Sequence, residues 1–401
     1  MDREYDLIVW GASGFTGRLV VEYLAEHYPA AELRWAVGGR NRDKLAGVLG
    51  DIPFKDDQPD IVVADSRDAN AMHDLAASTK VVLTTVGPYA RYGTELVAAC
   101  AAAGTDYCDL CGEVQWMRQM IDEVQASAES SGARIVMSCG FDSIPSDIGV
   151  HRLQALSHER HGKPCVEVST LVRAMKGGAS GGTYASMLNA IDEARNDRAT
   201  ARVLVDPYAL NPEGERSGPD GRDQGGARYD DIADLWTAPF VMATVNTRVV
   251  RRTNALGDYP YTRDFRYRES TIAGGRLRAT MMGFGLKLFM IAAAIPLTRK
   301  LIIKRMLPAP GEGPTREQRE NGFFNLLMIG RTADGDEVRL RIKGDRDPGY
   351  GSTSKMLAES AISLARGESD AAGGCWTPAA AMGDPLLRRL SDNAGVTFDP
   401  E

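Results

Sequence analysis

The sequence predicts an α/β protein that contains a Rossmann-type doubly wound parallel sheet and a second, α+β domain. The buried strand pattern of residues 5–10 runs directly into the loop Gly11-Ala12-Ser13-Gly14-Phe15-Thr16-Gly17, and apolar residues at helical spacing follow the loop. Short apolar strands then alternate with alanine-rich helical stretches as far as residue 137. After Asp147 the alternation stops, and longer strands and a hairpin take its place.

The glycine loop between the first strand and the first helix predicts a dinucleotide site. Glycines let the backbone approach a pyrophosphate, and the helix amides behind them point at its negative charge. The spacing is GxxGxxG, a variant of the usual fingerprint. The candidate cofactor-binding residues here are Gly11, Ser13, Gly14, Phe15, Thr16 and Gly17.

The end of the second strand indicates which nicotinamide cofactor is bound. Residues 33–37 lead into Gly38-Gly39-Arg40, with no acid at the tip to accept the ribose hydroxyls of NAD. Arg40, with Ser13 close by, fits the 2′-phosphate of NADP, although a solvated surface arginine would look the same in the sequence. The missing acid and the arginine together predict NADP(H).

Four further strands are predicted at residues 61–64, 81–86, 107–110 and 135–137, which makes six parallel strands. Ligands of such sheets lie beyond the carboxyl ends of the strands. Asp65 is therefore a candidate for adenine contacts, or alternatively a helix cap before Asp68. Gly87-Pro88-Tyr89 is expected along the nicotinamide end, and Gly140-Phe141-Asp142-Ser143-Ile144-Pro145 leaves the domain.

Composition limits the function classes. The chain has 401 residues, 43% of them hydrophobic, and a formal net charge of −7, which suits two packed domains and argues against general nucleic-acid binding. No secretory leader and no apolar run of roughly 18 residues is evident, so we expect a cytoplasmic protein. Its six cysteines, including a lone Cys108/Cys111 pair, are expected to be reduced thiols, and no metal is expected.

The second domain is predicted from a strand over 165–175 and a hairpin of 324–330 with 337–343. A glycine-rich loop at 177–183 opens the helix that carries Tyr184, and it suits an anion or a carbonyl oxygen unless it is a plain turn. Residues 211–231 are rich in Gly, Pro, Asp and Arg, which indicates a mobile surface loop.

An apolar helical segment is predicted at 284–307. The apolar part ends at Pro296, is interrupted by Lys287, and is too short and too charged to span a bilayer. The basic residues that follow are Arg299, Lys300, Lys304 and Arg305. The pattern fits an interfacial helix at the inner face of the plasma membrane, a surface that docks an acidic carrier domain, or a core helix followed by a solvated basic face.

Several motifs together resemble one family. They are the glycine loop, Gly38-Gly39-Arg40, Gly87-Pro88-Tyr89, residues 109–113, residues 140–147, Gly349-Tyr350-Gly351-Ser352-Thr353 and Gly373-Gly374-Cys375-Trp376-Thr377-Pro378. The sequence resembles the saccharopine dehydrogenase-like oxidoreductases over nearly its whole length, and is most similar to actinobacterial trans-acting enoyl reductases. The resemblance implies reduction of acyl chains bound to a polyketide synthase. It also implies that residues 1–147 plus 347–401 form the NADP domain, and that 148–346 are an inserted substrate and dimerisation domain.

For an α,β-unsaturated thioester, hydride would reach the β carbon, and donors must stabilise the enolate oxygen before the α carbon is protonated. The candidate donors are Tyr89, Tyr184, Tyr350 and Ser143, and each tyrosine could instead be an aromatic anchor. Two rival functions remain open. Imine reduction, as in saccharopine dehydrogenases, would use Arg173, Lys176 or Arg346 to hold substrate carboxylates. The other is a non-catalytic NADP-binding protein at a lipid surface, and a homodimer is compatible with each function.

Overall fold

The computed structural model describes residues 3–55, 57–178, 181–299 and 313–401. The chain forms two compact units. The first unit comprises Met1–Ile144, Gly311–Gly313 and Gly349–Ala394. The second unit comprises Pro145–Pro310, Pro314–Pro348 and Gly395–Glu401.

The first unit contains a seven-stranded sheet in which every pairing is parallel. Its strands are β1 (Tyr5–Trp10), β2 (Trp35–Gly39), β3 (Asp60–Val63), β4 (Thr79–Thr84), β5 (Asp106–Asp109), β6 (Arg134–Val136) and β13 (Gly374–Trp376). The order β3-β2-β1-β4-β5-β6-β13 confirms the doubly wound Rossmann-type sheet. The prediction of six strands is short by one, because β13 is the short stretch Gly374-Cys375-Trp376, which contains no aliphatic run like those of the predicted strands.

Helices cover the first unit's sheet. They are α1 (Phe15–His27), α2 (Arg42–Asp51), α3 (Ala69–Ser78), α4 (Tyr89–Tyr92), α5 (Thr94–Ala103), α6 (Val114–Ser131), α14 (Thr353–Ala365) and α15 (Pro378–Asp392). The core strand β1 contributes Leu7, Ile8 and Val9, which are fully buried. The order in which strands are added reverses at β1, since β2 and β3 lie on one side of it and β4 to β6 on the other. This reversal leaves a crevice at the carboxyl end of β1, where the glycine loop begins.

The second unit contains a mixed sheet of seven strands. They are β7 (Cys165–Lys176), β8 (Arg228–Asp230), β9 (Leu235–Pro239), β10 (Arg266–Ile272), β11 (Phe323–Thr332), β12 (Glu337–Gly344) and β14 (Val396–Pro400), and their order in the sheet is β14-β12-β11-β7-β10-β9-β8. Its helices are α7 (Ile144–His161), α8 (Gly181–Asn196), α9 (Arg198–Val205), α10 (Ala243–Leu256), α11 (Arg276–Ala294), α12 (Pro296–Thr298) and α13 (Arg316–Glu320). The predicted hairpin is confirmed as β11 and β12, whose turn contains Gly335 at φ +94°.

The last strand lies elsewhere than predicted. The resemblance implied that all of 347–401 belongs to the NADP domain, but β14 pairs antiparallel with β12, with Leu340 opposite Pro400. Residues 395–401 therefore belong to the second unit. The backbone hydrogen bonds of an edge strand are long-range in sequence, so local periodicity could not locate this pairing.

The stretch 211–231 is also different from the mobile loop that was predicted. Asp220 accepts a hydrogen bond from the buried Arg251 at 2.7 Å, and Asp223 accepts one from the buried Arg248 at 2.6 Å. Both arginines lie on α10. The acidic residues that suggested solvent exposure instead pair with buried guanidinium groups, and Arg228–Asp230 forms strand β8.

Candidate functional site

The glycine loop follows β1 without a gap. Gly11 N donates to Gly38 O at 2.9 Å, and Gly14 N donates to Gly11 O at 2.9 Å. Gly11 has φ +90°, and a Cβ atom there would lie 2.6 Å from Val86 Cγ2. The first glycine is therefore required twice, by the backbone conformation and by the neighbouring loop after β4.

The other two glycines bring α1 close to the loop. A Cβ atom on Gly17 would lie 2.2 Å from Gly11 O, whereas one on Gly14 would lie 3.2 Å from the same oxygen. Gly14 is the N-cap of α1 and is exposed, and among the described residues no side chain caps this helix. The first amides of α1 are thus available to an anion at the carboxyl end of β1.

Arg40 lies directly after β2 and is exposed. Within the described part of the chain it forms no ion pair or hydrogen bond with another side chain. Its charge nevertheless contributes to the low pKa of Asp65. An exposed guanidinium without an acid partner at this strand end matches the position expected for a ribose 2′-phosphate ligand.

Asp65 is paired with Arg67. Its Oδ2 accepts from Arg67 Nη2 at 3.0 Å, and its Oδ1 accepts from the Arg67 backbone N at 3.0 Å. These bonds, with a smaller contribution from Arg40, lower the pKa of Asp65 to about 2. The alternative that Asp65 caps α3 is wrong, because the cap is Asp68, which accepts from Asn70 N. A contact between Asp65 and adenine stays a prediction.

The Gly87-Pro88-Tyr89 turn is held by a carboxylate of the 109–113 motif, for which the sequence predicted no such role. Glu113, which is buried at the start of α6, accepts from Tyr89 N at 2.8 Å and from Ala90 N at 3.1 Å. These two amides are the first of α4. The sequence shows that an acid, Glu113, follows β5, but it does not show which backbone amides that acid contacts.

Tyr89 is a structural residue of this turn. Its buried hydroxyl donates to Thr84 O at 3.2 Å and accepts from Leu110 N at 3.4 Å, and its ring packs on Trp116 with centroids 5.4 Å apart. Burial raises the pKa of Tyr89 well above its ordinary value. Because backbone groups bond to its hydroxyl inside the first unit, Tyr89 ranks behind the other candidates as a proton donor, and that role stays a prediction.

A second buried carboxylate, Asp109, lies at the end of β5. Its Oδ1 accepts from Cys111 N and Ser138 N, both at 2.9 Å, and its Oδ2 accepts from Tyr107 Oη at 2.8 Å. Burial raises the pKa of Asp109 to about 6. Cys111 and the other five cysteines are buried thiols outside any disulfide, and the described residues contain no cluster of three or more side chains suited to a metal.

Ser143 and Tyr350 both lie in the first unit. Ser143 is fully buried in a turn where its N donates to Gly140 O at 3.2 Å. The same turn is tied to the start of α14 because Phe141 N donates to Thr353 Oγ1 at 2.9 Å. Tyr350 packs its ring edge on Phe15, with centroids 5.1 Å apart and an interplanar angle of 81°.

The packing of Tyr350 on Phe15 brings a predicted donor to the first residue of α1, next to the glycine loop. The two residues are far apart in the sequence, so no local pattern could have shown their contact. Tyr184, by contrast, lies on α8 of the second unit and is half-buried. Part of the glycine-rich loop before it, residues 179 and 180, lies outside the described residues.

The sheet order, the glycine loop at its switch point and the unpaired arginine after β2 define a dinucleotide-dependent oxidoreductase fold that uses NADP(H). The family model described as "Saccharopine dehydrogenase NADP binding domain" matches residues 7–136. The chain belongs to the saccharopine dehydrogenase-like oxidoreductases.

Two curated relatives cover nearly the whole chain. A Mycobacterium tuberculosis protein, provisionally named a trans-acting enoyl reductase, is 42% identical over 410 residues, which are 99% of this chain and 97% of that protein. A Mycobacterium bovis protein named trans-acting enoyl reductase is 38% identical over 99% of this chain and 98% of its own length. Among solved structures, apo saccharopine dehydrogenase from Saccharomyces cerevisiae shares the fold, with a TM-score of 0.54 and 12% identity over 98% of this chain and 99% of that one.

The residues of the first unit fit NADP(H). The bare backbone at Gly11, Gly14 and Gly17 leaves room for a pyrophosphate at the start of α1. Arg40 would meet the 2′-phosphate, since it carries a charge that no acid of the described residues neutralises by direct pairing. The Glu113-held turn after β4 would line the nicotinamide end.

Proposed function

We propose that this protein is a trans-acting enoyl reductase that reduces the α,β double bond of an acyl thioester carried by a separate polyketide synthase or carrier protein. The observation that carries the proposal is similarity along the whole chain, at 42% and 38% identity, to proteins with that name. The NADP(H) site of the first unit supplies the reductant such a reaction needs.

The reaction adds two hydrogens across the double bond. NADPH, when bound, supplies the hydride for the β carbon. A protein donor must then stabilise the negative charge on the thioester oxygen and deliver a proton to the α carbon. The glycine loop and Arg40 hold the cofactor, and the Glu113-held turn fixes the backbone beside it.

We assign the donor role first to Tyr350. Its contact with Phe15 places it at the beginning of α1, beside the loop that binds the pyrophosphate. Ser143, buried in the turn that is tied to α14, and Tyr184, on α8 of the second unit, are the remaining candidates. One of the basic residues that imine reduction would need for substrate carboxylates already has an acid beside it, since Arg173 Nη1 lies 3.7 Å from the Glu401 carboxylate.

A three-arm assay tests the proposal. Purified full-length protein with NADPH is given an enoyl thioester on a carrier protein, a mixture of lysine and 2-oxoglutarate, or no substrate, and NADPH consumption is followed. We expect consumption only in the first arm, with the saturated thioester as product. Consumption only in the second arm would show an imine reductase. Background rates in every arm despite tight NADPH binding would show a non-catalytic NADP-binding protein.

Tyr350→Phe separates the donor from a packing role. The ring contact with Phe15 survives in phenylalanine, so we expect NADPH affinity to be retained while kcat falls by about 10² or more. Tyr229→Phe, which removes the hydroxyl of an exposed tyrosine of the second unit, is the control for the substitution type. Unchanged kcat in Tyr350→Phe would move the assignment to Tyr184 or Ser143.

A further inference from the structure

The helix α11 carries a continuous stripe of large apolar side chains on its outer face. The stripe consists of Leu277, Met281, Phe284, Leu288, Ile291 and Ile295, of which all but the last lie within the helix and Ile295 is its C-cap. All six are exposed, with Leu277 at 76% and Phe284 and Met281 at 66% each. Their alternating spacing of four and three residues places them within an arc of about 80°, at about 100° per residue.

The opposite face attaches the helix to the second unit near both of its ends. Ala279 and Gly283 are buried near its start, and Ala293 is buried near its end. Ala279 packs in a small cluster with Ala238 of β9, and Arg195 of α8 donates to Ala294 O. The helix is the one described element long and apolar enough to cross a membrane, but a single such helix is weak evidence for a span. A helix that packs on protein at both ends lies along a surface instead.

The charges of α11 have one sign. Its charged residues are Arg276, Arg278 and Lys287, and it contains no Asp or Glu. On a helical projection, Arg278 lies at one border of the apolar stripe, and Arg276 and Lys287 lie at the other, about 80° to 100° from its centre. The whole chain has a net charge of −7, so this helix is positive on a protein that is otherwise negative.

A stripe of this kind fits an anionic lipid surface better than a second copy of the chain. Two copies that paired through the stripe would bring only cations to the borders of the contact, with no acid on the helix to neutralise them. At a bilayer, the apolar side chains enter the acyl boundary while the arginine and lysine side chains reach back to negative headgroups.

We propose that α11 binds the second unit peripherally to a membrane that contains anionic lipids, with its axis parallel to the surface. The stripe is about 27 Å long at 1.5 Å per residue, and it is the inserted face. Of the four basic residues predicted to act with the stripe, Arg299, Lys300, Lys304 and Arg305, only Arg299 lies among the described residues. Arg299 is engaged, since its guanidinium bonds both oxygens of Asp192 at 2.7 and 2.8 Å. Lys300, Lys304 and Arg305 lie outside the described residues.

Vesicle sedimentation of the full-length protein tests this proposal. The vesicles are phosphatidylcholine alone, or phosphatidylcholine mixed with phosphatidylglycerol. We expect binding to the mixed vesicles that weakens with added salt, and little binding to phosphatidylcholine. Phe284→Gln with Leu288→Gln should lower the partition coefficient at least about tenfold. Arg278→Glu with Lys287→Glu should lower the partition coefficient by about fivefold or more for each residue changed.

Matched controls come from the same unit. Met175→Gln with Val205→Gln changes two apolar residues of similar exposure, and Arg198→Glu with Arg202→Glu changes the net charge by the same amount. Both controls should bind vesicles like the unmodified protein, and NADPH affinity should be the same in all variants. Absence of binding to mixed vesicles, or equal losses in the controls, would overturn the proposal. A third result would also overturn it: no vesicle binding, together with a dimer in sedimentation velocity that dissociates in the Phe284→Gln with Leu288→Gln variant. The stripe would then be a contact between two copies of the chain.

Discussion

The buried carboxyl of Asp109 should make the stability of the first unit depend on pH. Burial, which outweighs three hydrogen bonds to the carboxylate, raises its pKa from an ordinary 3.8 to about 6. A raised carboxyl pKa means that folding disfavours the ionised form. This contribution to stability is therefore fully present below pH 3.8 and is lost as pH rises through about 6. The pKa difference of about two corresponds to roughly 3 kcal/mol.

Asp109→Asn isolates this effect. The amide oxygen can still accept from Cys111 N and Ser138 N, and the amide nitrogen can donate to the Tyr107 hydroxyl, which then accepts. The free energy of unfolding is measured by urea at pH 4 and pH 7, with tryptophan fluorescence as the signal. Part of the effect is already present at pH 4, so we expect the variant to gain on the parent by about 2 kcal/mol between these pH values.

The difference between variant and parent removes the titration of all other groups. Asp57→Asn, on an exposed residue of the same unit, is the control for the exchange of a carboxylate for an amide. A difference for Asp109→Asn that is the same at pH 4 and pH 7 would refute the reasoning, since Asp109 would then ionise equally easily in both states.

Three further changes test the site. Arg40→Ala should weaken NADPH binding by about 1.5 to 3 kcal/mol, which is roughly 10- to 150-fold, and leave NADH binding nearly unchanged. If calorimetry shows equal losses of affinity for NADPH and NADH, the 2′-phosphate contact is excluded. Gly14→Val should abolish NADPH binding without unfolding the protein, because a Cβ there is 3.2 Å from Gly11 O and the valine methyl groups would project from the start of α1. Gly47→Val is the control, since a Cβ at that position meets nothing within 4 Å. Glu113→Gln keeps one acceptor oxygen for the two amides and should lower the free energy of unfolding by about 1 to 3 kcal/mol, which is measured as a lower Tm. An unchanged Tm would mean that Pro88 alone shapes the turn.

The parts of the structure that the sequence predicted are those set by neighbouring residues. The strand, glycine loop and helix at the amino end are confirmed, because a buried β pattern, a loop with Gly11 at positive φ and an apolar helix face are each local. The hairpin of β11 and β12 is confirmed for the same reason. Gly38 shows a limit of motif interpretation, since a Cβ there would lie 2.6 Å from Trp10 Cε3, so core packing alone demands this glycine.

The parts that were missed depend on contacts between distant segments. The pairing of β14 with β12, the Asp223 carboxylate on Arg248 and the Tyr350 ring on Phe15 each join residues that no periodicity connects. The composition of 211–231 was misleading, because Gly, Pro and Asp indicate solvent only when no buried cation is near. A sequence shows that acids are present, but it does not show which arginines they meet.

Glu113 shows how this difference affects the candidate site. The motif after β4 was recognised by its own residues, yet the two amides that begin α4 are bound by a carboxylate at the start of α6. The position of the turn therefore depends on where α6 begins as much as on Pro88. Because Trp116, Met117 and Met120 of α6 are buried, and the Trp116 indole donates to Thr94 of α5, a change in that core can move the turn without touching any motif residue. Substitutions at the buried face of α6 should consequently alter cofactor binding more than their distance from the glycine loop suggests, and Trp116, whose ring contacts Tyr89, is where that effect should be largest.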